Sequence, residues 1–445
     1  MNKKIAAFLL SVMIILIFSV PVLAFSEDSN PVMDQDYQSC SIVSAIGLEF
    51  AQNIYRANNI GQSILEAIYN NSSTNRSMDP SESFSYPCYF GGLYIDSDGN
   101  LVILIAESFA TRGESVNTLS FASRSEGASI RYVEHSKNDL LTMQEYIIYL
   151  VFSTPNEIAD NLVRVSIDAM ANRVVVGLSD YSERLISLFK EIIVDSPMVT
   201  FEEAIRFEAG MSRTNDYRTS DDLIEDYLSN VDPFWIPGPN SILHPGQRIH
   251  SPFDFGTLGF RASCRQTGAR GYITAAHVTG PWTGTTVHGN LPHPIWTPFS
   301  GTVNRALLNG IDAAFVSGNN LNISNRVNDV IEVNTFVPRP IQFNFVQSFG
   351  ATTKQFVLGR IERANVVEFM SSQWGILRID EATIASFSSA LGDSGAPVFT
   401  ASTMFPQPIQ PRNPLGIVVA GGFNVSLISN LNPILNTLDL WLTSN

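Results

Sequence analysis

A segment dense in proline and glycine divides the sequence into two parts with different patterns. It contains two glycines, Gly238 and Gly246, and five prolines: Pro233, Pro237, Pro239, Pro245 and Pro252. Proline lacks a backbone donor and glycine is conformationally permissive, so this composition breaks both helices and strands. We therefore predict a domain boundary near Pro237, between residues 25–236 and residues 237–445.

The part before this boundary mixes helical and strand patterns, which indicates an α+β unit, with α/β as the alternative. Apolar residues at helical spacing predict helices over Leu48–Tyr55, over Ile64–Ile68 after a break at Gly61, over Asp139–Leu150 and over Tyr181–Ile192. Alternating apolar residues predict two strand pairs, which turn at Asp98-Gly99-Asn100 and near Asn172.

The part after the boundary has a different sequence pattern. From Thr257 to Asn445, short apolar runs are separated by Gly, Pro and Asn turns, and sustained helical spacing is rare. This pattern is typical of an all-β sandwich or barrel, and the segment is long enough for two small barrels packed together. Pro433–Leu442 is the one plausible helix here.

The first residues predict a secretory signal peptide over residues 1–24. Lys3 and Lys4 precede an apolar run, Ile5–Leu23, and small Ala24 ends the segment. The alternative is an uncleaved membrane anchor, because a run of about 20 apolar residues can span a bilayer. Pro21 and Ala24 favour cleavage, so we expect a secreted, extracellular protein that meets the membrane only transiently.

The net charge of −15 is concentrated before the boundary. From Ile236 onward there are 10 acidic and 12 basic residues, whereas the preceding residues contain 32 acidic and 15 basic ones. No dense basic patch occurs, so we predict no nucleic-acid binding. The contrast suits an acidic segment that docks on a near-neutral domain. Ordinary solubilising charge on an independent N-terminal domain explains it equally well.

The three cysteines, Cys40, Cys88 and Cys264, are too few and too scattered for a disulfide framework or a zinc site. We therefore expect no metal and no other cofactor. Whether Cys40 pairs with Cys88 in an oxidising compartment is left open by the sequence.

The hexapeptide Gly392-Asp393-Ser394-Gly395-Ala396-Pro397 has the composition that a nucleophilic serine needs. Small neighbours leave the Ser394 hydroxyl exposed, and the backbone amides of Gly392 and Ser394 could stabilise an oxyanion. The alternative is a glycine-rich turn between two strands. The choice depends on partners elsewhere in the chain.

A serine hydroxyl is a weak nucleophile unless a base removes its proton. Of the six histidines, only His277 ends a strand-like run, Gly271–Ala276, whose small residues allow close packing around an imidazole. The imidazole in turn needs a buried acceptor. Asp312 opens an apolar run, in which a charge is costly to bury unless it is paired, and Asp329 is a distant second choice. We predict that His277 and Asp312 complete a catalytic triad with Ser394.

These motifs resemble those of the chymotrypsin-like serine peptidases, and among them the bacterial branch typified by α-lytic protease and the streptogrisins. The resemblance rests on Thr274–His277, Asp312–Ala314 and Gly392–Pro397, in the family order His, Asp, Ser. It implies two six-stranded β-barrels with the active site in the cleft between them. It also implies an endopeptidase that acts on proteins or peptides through an acyl-enzyme.

In the bacterial branch a long N-terminal pro-region assists folding of the peptidase and inhibits it until cleavage. The acidic residues 25–236 resemble such a pro-region in length, position and charge, which implies a zymogen bound in cis by its own pro-region. The chain departs from the family at Val278, where many members have a cysteine, so Cys264 cannot form the usual bridge. The activation motif of the animal members is also absent.

Specificity is implied only weakly by the resemblance. The family position that lines the primary substrate pocket is occupied by Ser388, so a buried acid that selects Lys or Arg is missing. No histidine lies near Val418–Gly422, the expected pocket wall, which disfavours selection of Glu. The expected preference is for a neutral residue.

Two other functions are weighed against the endopeptidase. An esterase of the α/β-hydrolase type needs the order Ser, acid, His, whereas here His277 precedes Ser394. A catalytically inactive, protease-fold binding protein is the alternative from another class, with the acidic part as its interaction module.

Overall fold

The structure is a computed structural model, which describes residues 46–74, 86–110, 128–153, 156–209, 242–289, 300–318, 321–401 and 411–444. The predicted signal peptide at 1–24, the predicted boundary at Pro237 and the thiol of Cys40 lie outside these ranges. Within them, the helices are too short or too polar to cross a membrane.

The described residues between Leu48 and Val133 form a helix packed on a small sheet. The elements are α1 (Leu48–Thr74), β1 (Phe90–Ile95), β2 (Leu101–Ala106), α2 (Glu107–Ala110) and β3 (Ala128–Val133). β2 pairs antiparallel with β1 and parallel with β3. The predicted hairpin turn is confirmed: the Asp96 carboxylate accepts the amides of Asp98 and Asn100 at 2.9 and 2.8 Å, and Gly99 has a φ of 82°.

The predicted break at Gly61 is wrong, because α1 runs through it. A Cβ added at Gly61 would lie 2.6 Å from Cδ1 of Ile341 in the C-terminal part. Glycine therefore allows this helix to approach the C-terminal part closely rather than ending the helix. Beside it, the Gln62 side chain donates to the Arg339 carbonyl at 2.7 Å and accepts the Arg339 amide at 3.0 Å.

Residues 137–209 form a second small α+β unit. Its elements are α3 (Lys137–Ser153), α4 (Glu157–Asn161), β4 (Leu162–Asp168), β5 (Arg173–Leu178), α5 (Glu183–Ile192), β6 (Val199–Glu203) and β7 (Glu208–Ala209). α5 begins where the Ser182 side chain accepts the Leu185 amide, and it buries Leu185 and Phe189 one turn apart. The strand pair predicted to turn near Asn172 is confirmed as β4 and β5.

The part after the boundary is all-β, as predicted, apart from two short helices in the described residues. Its elements are β8 (Arg248–His250), β9 (Phe255–Thr257), β10 (Arg261–Cys264), β11 (Arg270–Thr274), α6 (Ala276–Thr279), β12 (Thr286–Gly289), β13 (Ser300–Leu307), β14 (Ala313–Ser317), β15 (Arg326–Val327), β16 (Ile331–Glu332), β17 (Phe345–Phe349), β18 (Phe356–Ser372), β19 (Gly375–Ala385), β20 (Pro397–Thr400), β21 (Pro414–Gly422), β22 (Val425–Asn430), α7 (Leu431–Thr437) and β23 (Leu440–Leu442). The predicted helix Pro433–Leu442 is right only in its first half, because β23 pairs with β10.

Two large sheets organise these strands. In the first sheet the order is β23-β10-β11-β14-β13-β12-β8-β9. In the second sheet β17-β20-β21-β22-β19-β18 are neighbours, and pairing of β17 with β18 closes these six strands into a ring. The first sheet shows no closing pair within the described residues, so two six-stranded barrels remain a prediction. Tyr272, Phe315 and Phe399 belong to one core that joins both sheets.

The second sheet continues into the N-terminal part, which the sequence did not predict. β4 pairs antiparallel with β18, and β5 and β6 extend the sheet beyond β4. β7 pairs parallel with the end of β18 at Ser371 and Ser372. On α3, the Gln144 side chain donates to the carbonyls of Val165 and Asn365, one on each side of this seam, at 2.7 and 3.0 Å. The two parts of the chain therefore share one hydrogen-bonded sheet.

Candidate active site

His277 and Asp312 lie at the same edge of the first sheet. β11 ends at Thr274 and leads into α6, which carries His277, and β14 begins directly after Asp312. β11 and β14 are antiparallel neighbours with Thr274 opposite Ala314, so the end of one strand adjoins the start of the other. The topology thus brings together two residues that are 35 positions apart in the sequence.

Both side chains are removed from water, with 1% of His277 and 0% of Asp312 exposed. The Asp312 carboxylate is hydrogen-bonded to His277 Nδ1 and accepts the His277 backbone amide at 2.9 Å. Burial alone would lower the pKa of His277, but the charge and hydrogen bond of Asp312, with a contribution from Asp254, raise it above its ordinary value. The pair can therefore hold a proton on the imidazole although both side chains are buried.

Glycine is required twice in the loop that carries Ser394, between β19 and β20. Gly392 and Gly395 have φ values of 94° and 92°, a region in which side chains with a Cβ are strained. A Cβ on Gly395 would lie 2.3 Å from both the Thr257 carbonyl oxygen and Thr274 Oγ1. The hexapeptide is thus a tightly packed loop rather than an open turn.

Asp393 fixes the same loop through its side chain. Its carboxylate is buried and accepts the amides of Ala390 and Thr352 at 2.9 Å and of Thr353 at 3.2 Å. Burial raises the pKa of Asp393, and these backbone hydrogen bonds act in the opposite direction. Asp393 therefore serves the loop and is not the partner of a histidine.

Two threonines of the first sheet connect the Ser394 loop to the strand before His277. The Thr257 amide donates to the Ser394 carbonyl at 2.7 Å, and Thr257 Oγ1 donates to the Gly392 carbonyl at 2.8 Å. Thr274 Oγ1, at the end of β11, donates to the Thr257 carbonyl at 2.8 Å. These bonds hold the Ser394 loop at the junction of the two sheets, next to the segment that carries His277.

Three polar groups near Ser394 keep unused hydrogen-bonding capacity. Within the described residues, His277 Nε2 is buried and has no hydrogen-bond partner, and Ser394 Oγ does not bond to it. In the same part of the chain, the amides of Gly392 and Ser394 donate to no carbonyl, whereas the Gly395 amide donates to Val418 at 2.7 Å. A ring nitrogen and two amides are therefore available to a bound molecule.

Three other aspartates of the C-terminal part form ion pairs with groups other than His277. Asp329, the second choice, has 68% of its side chain exposed and lies 3.8 Å from His244. Asp380 pairs with Arg378, and Asp439 pairs with Arg305. Asp312, by contrast, is hydrogen-bonded to the ring and to the backbone amide of His277.

Sequence reasoning missed two side chains that hold the backbone of His277. Trp374 Nε1 donates to the His277 carbonyl at 3.3 Å, and Gln373 Nε2 donates to it at 3.5 Å. Trp374 also packs against Phe253 and Trp282, with ring centroids 5.5 and 5.0 Å apart. No motif marks this contact, because Trp374 is 97 positions from His277 and lies in the turn between β18 and β19.

Ser388, the predicted pocket residue, is tied to the segment after β21. Its hydroxyl accepts the Asn424 amide at 2.9 Å and lies 3.3 Å from Asn424 Oδ1. Next to it, the Ser389 amide donates to the Gly422 carbonyl at 3.2 Å. Neither residues 386–390 nor residues 418–424 include an ionisable side chain. The two segments expected to form the pocket walls are therefore in contact and uncharged.

Family models match the N-terminal part of the chain. A Pro-like N-terminal domain matches residues 49–129, and a Pro-like C-terminal domain matches residues 138–204. These ranges correspond to the two small α+β units described above. No curated protein matches the chain.

Solved structures of bacterial proteases align with the chain. A Nocardiopsis protease is 23% identical, with 45% of this chain and 99% of that chain covered and a TM-score of 0.37. Thermobifida fusca protease A is 21% identical, with 46% and 100% covered and a TM-score of 0.37. A Cellulomonas bogoriensis chymotrypsin is 20% identical, with 46% and 99% covered and a TM-score of 0.35. Each of these alignments covers less than half of this chain and almost all of the solved chain.

Replacing Asp312 by Asn is expected to lower the pKa of His277, because the charge that outweighs burial is removed while the shape is kept. An NMR titration of labelled histidines in the full chain measures this, with His277→Gln to assign the signal. Asp329→Asn, which alters an exposed carboxylate, is the matched control and should leave the titration of His277 unchanged. An unaltered pKa of His277 in the Asp312→Asn chain would contradict the account.

Proposed function

We propose that the chain is the precursor of a secreted serine endopeptidase in which His277, Asp312 and Ser394 form the catalytic triad. The observation that carries the proposal is the buried His277–Asp312 pair beside a serine loop with unused amides. A buried ion pair contributes little net stability, whereas ionisable groups with shifted pKa values cluster at functional sites. The buried pair therefore supports a catalytic role.

The proposed reaction uses each member of the triad in turn. His277 Nε2 takes the proton of Ser394 Oγ as the oxygen attacks the peptide carbonyl carbon. The imidazolium, stabilised by Asp312, then gives that proton to the leaving amine, which produces an acyl-enzyme. Water, activated by the same nitrogen, hydrolyses the ester and restores the serine.

The backbone amides of Gly392 and Ser394 are proposed to bind the oxyanion of the tetrahedral intermediate. Their support is that neither donates to a carbonyl within the described residues, while the neighbouring Asp393 and Gly395 amides do. The positive φ of Gly392 and the hydrogen bonds to the Asp393 carboxylate fix the loop before substrate arrives. Such fixed donors stabilise a developing charge without reorganisation.

Residues 25–236 are proposed to be a pro-region that assists folding, inhibits the peptidase and is removed after secretion. Support comes from the Pro-like domain matches and from β4, which extends the sheet of the peptidase part. The signal peptide over residues 1–24 and the boundary near Pro237 belong to the same proposal.

A protease-fold binding protein is the second candidate. The observation that favours it is the absence of a hydrogen bond between His277 Nε2 and Ser394 within the described residues. Catalytic hydrogen bonds are often long in the unbound state and tighten only with substrate, so the endopeptidase remains the better-supported function.

Ser394→Ala is expected to lower the turnover of a peptide substrate by about 10⁶-fold, because no other group can form the acyl-enzyme. The measurement is hydrolysis by the secreted chain after removal of its N-terminal part. Ser429→Ala is the matched control, because it removes a buried hydroxyl with no hydrogen-bond partner in the described residues. Activity retained by Ser394→Ala would end the proposal, and an inactive parent chain would favour the binding protein.

The preferred residue at the cleaved bond is expected to be neutral, because both segments near Ser388 and Gly422 lack ionisable side chains. Sequencing the products of a randomised peptide library measures the preference. Cleavage mainly after Lys, Arg, Asp or Glu would contradict the expectation.

Residues 240–445 expressed without the N-terminal part are expected to give far less active enzyme than the full chain. The pairing of β4 with β18 is then missing during folding, and the part of β18 that pairs with β4 is left as an open edge. The measurement is the active fraction after refolding, with residues 25–236 added in trans as the matched condition. Equal yields with and without residues 25–236 would show that folding needs no assistance.

A further inference from the structure

A carboxylate is buried at the seam, which is the junction of β4 in the N-terminal part with β18 in the C-terminal part. Glu368 lies on β18 opposite Arg164 of β4, and its side chain is 0% exposed. Its nearest cation, Arg164 Nε, is 3.6 Å from Oε2. Within the described residues, neither carboxylate oxygen of Glu368 nor Nε of Arg164 makes a hydrogen bond. A charge buried in this way lacks the partners that would offset its loss of water.

Arg164 is held away from closer contact by other groups of the N-terminal part. Its Nη2 donates to the Ile205 carbonyl at 3.3 Å, and its guanidinium carbon lies 5.7 Å from the centre of the Phe207 ring. Gly177 leaves room for the side chain, since a Cβ there would lie 2.7 Å from Cγ of Arg164. Arg164 is therefore positioned by its own unit, and Glu368 must fit beneath it when β4 docks.

The remaining charged groups around Glu368 do not neutralise it. Glu202 of β6 raises its pKa, and Arg206 lowers it. On β18 itself, Arg363 is paired at 3.5 Å with both Glu202 and Asp168. From the other side, β19 presents Ile379 in register with Glu368, which offers no charge.

We propose that docking of the N-terminal part on β18 is proton-linked through Glu368, so that the seam closes with Glu368 neutral and weakens as the pH rises. Glu368 belongs to the peptidase part and Arg164 to the N-terminal part, so separating the two exposes the carboxylate to water. The seam therefore binds a proton that the separated parts release. A rise in pH would by this means favour release of the N-terminal part.

The direction of the pH effect follows from the pKa of Glu368 in the docked state and in the separated state. In the docked state burial raises its pKa from 4.5 to about 8, against the opposing effect of Arg164. Below about pH 4.5 the group is protonated in both states, and the contribution to docking is fully present. This contribution of Glu368 to docking is lost progressively as the pH rises through about 8. A single group of this kind changes the opening equilibrium by at most about tenfold per pH unit.

Lys137 sets the upper end of the useful pH window. It is 6% exposed, and burial lowers its pKa to about 8, with Glu381 acting in the opposite direction. A lysine whose pKa is lowered on docking favours the docked state only as the pH rises above about 8. Measurements between pH 5 and 8 therefore separate the effect of Glu368 from that of Lys137, and the Glu368→Gln variant separates it from that of Glu381, whose pKa is also raised by burial.

The test is hydrogen exchange of the full chain with Ser394→Ala, which excludes self-cleavage, between pH 5 and 8. After correction for the intrinsic exchange rate, the opening constant of amides in Leu162–Asp168 and Phe356–Ser372 is expected to rise by up to about tenfold per pH unit. Glu368→Gln, which keeps the shape without the charge, should flatten this rise. Glu362→Gln is the matched control on the same strand, where the carboxylate is 33% exposed and 3.2 Å from Arg360.

Two results would overturn the proposal. One is that the opening constant of the parent chain does not change with pH, a measurement that needs no Glu368 variant. The other is a Glu368→Gln chain with the same pH dependence as the parent and the control. Because the Ser394→Ala background has no turnover to measure, neither result bears on the proposed peptidase activity.

Discussion

The Asp312 carboxylate is wholly buried, and the arrangement of the candidate site depends on how that charge is accommodated. Removing one member of a buried pair costs about 3 to 5 kcal/mol, so Asp312 requires a partner that the fold holds in place. His277 supplies two donors to it, a ring nitrogen and a backbone amide. The antiparallel pairing of β11 with β14 brings both residues to one sheet edge, and hydrogen bonds through Thr257 and Thr274 then fix the Ser394 loop beside them.

β18 connects this site to the N-terminal part. Along its length it pairs with β17, β19, β4 and β7, so the same strand belongs to the closed ring and to the sheet that extends into the N-terminal part. Its turn into β19 carries Gln373 and Trp374, which hold the His277 carbonyl. The strand on which the N-terminal part docks therefore leads directly to a contact with His277.

Local patterns predicted most of the elements and the chemistry, but not the contacts between distant segments. The hairpin at Asp98–Asn100 depends on its own turn residues, and Asp312 was identified because a charge at the start of an apolar strand needs a partner. Gly61 was misread as a helix break because its reason is the close approach of Ile341, 280 positions later. Trp374 and the β4–β18 seam were missed for the same reason. Each depends on residues that only the folded chain brings together, and no local signal marks them.

Ser394 is proposed to be a nucleophile that His277 activates. The most direct measurement is the mass-spectrometric mapping of a fluorophosphonate adduct on the secreted chain after removal of its N-terminal part. The account predicts one modified residue, Ser394, and a large loss of labelling rate in His277→Gln, where the general base is removed. An unlabelled Ser394, or equal labelling of the parent and His277→Gln chains, would contradict it.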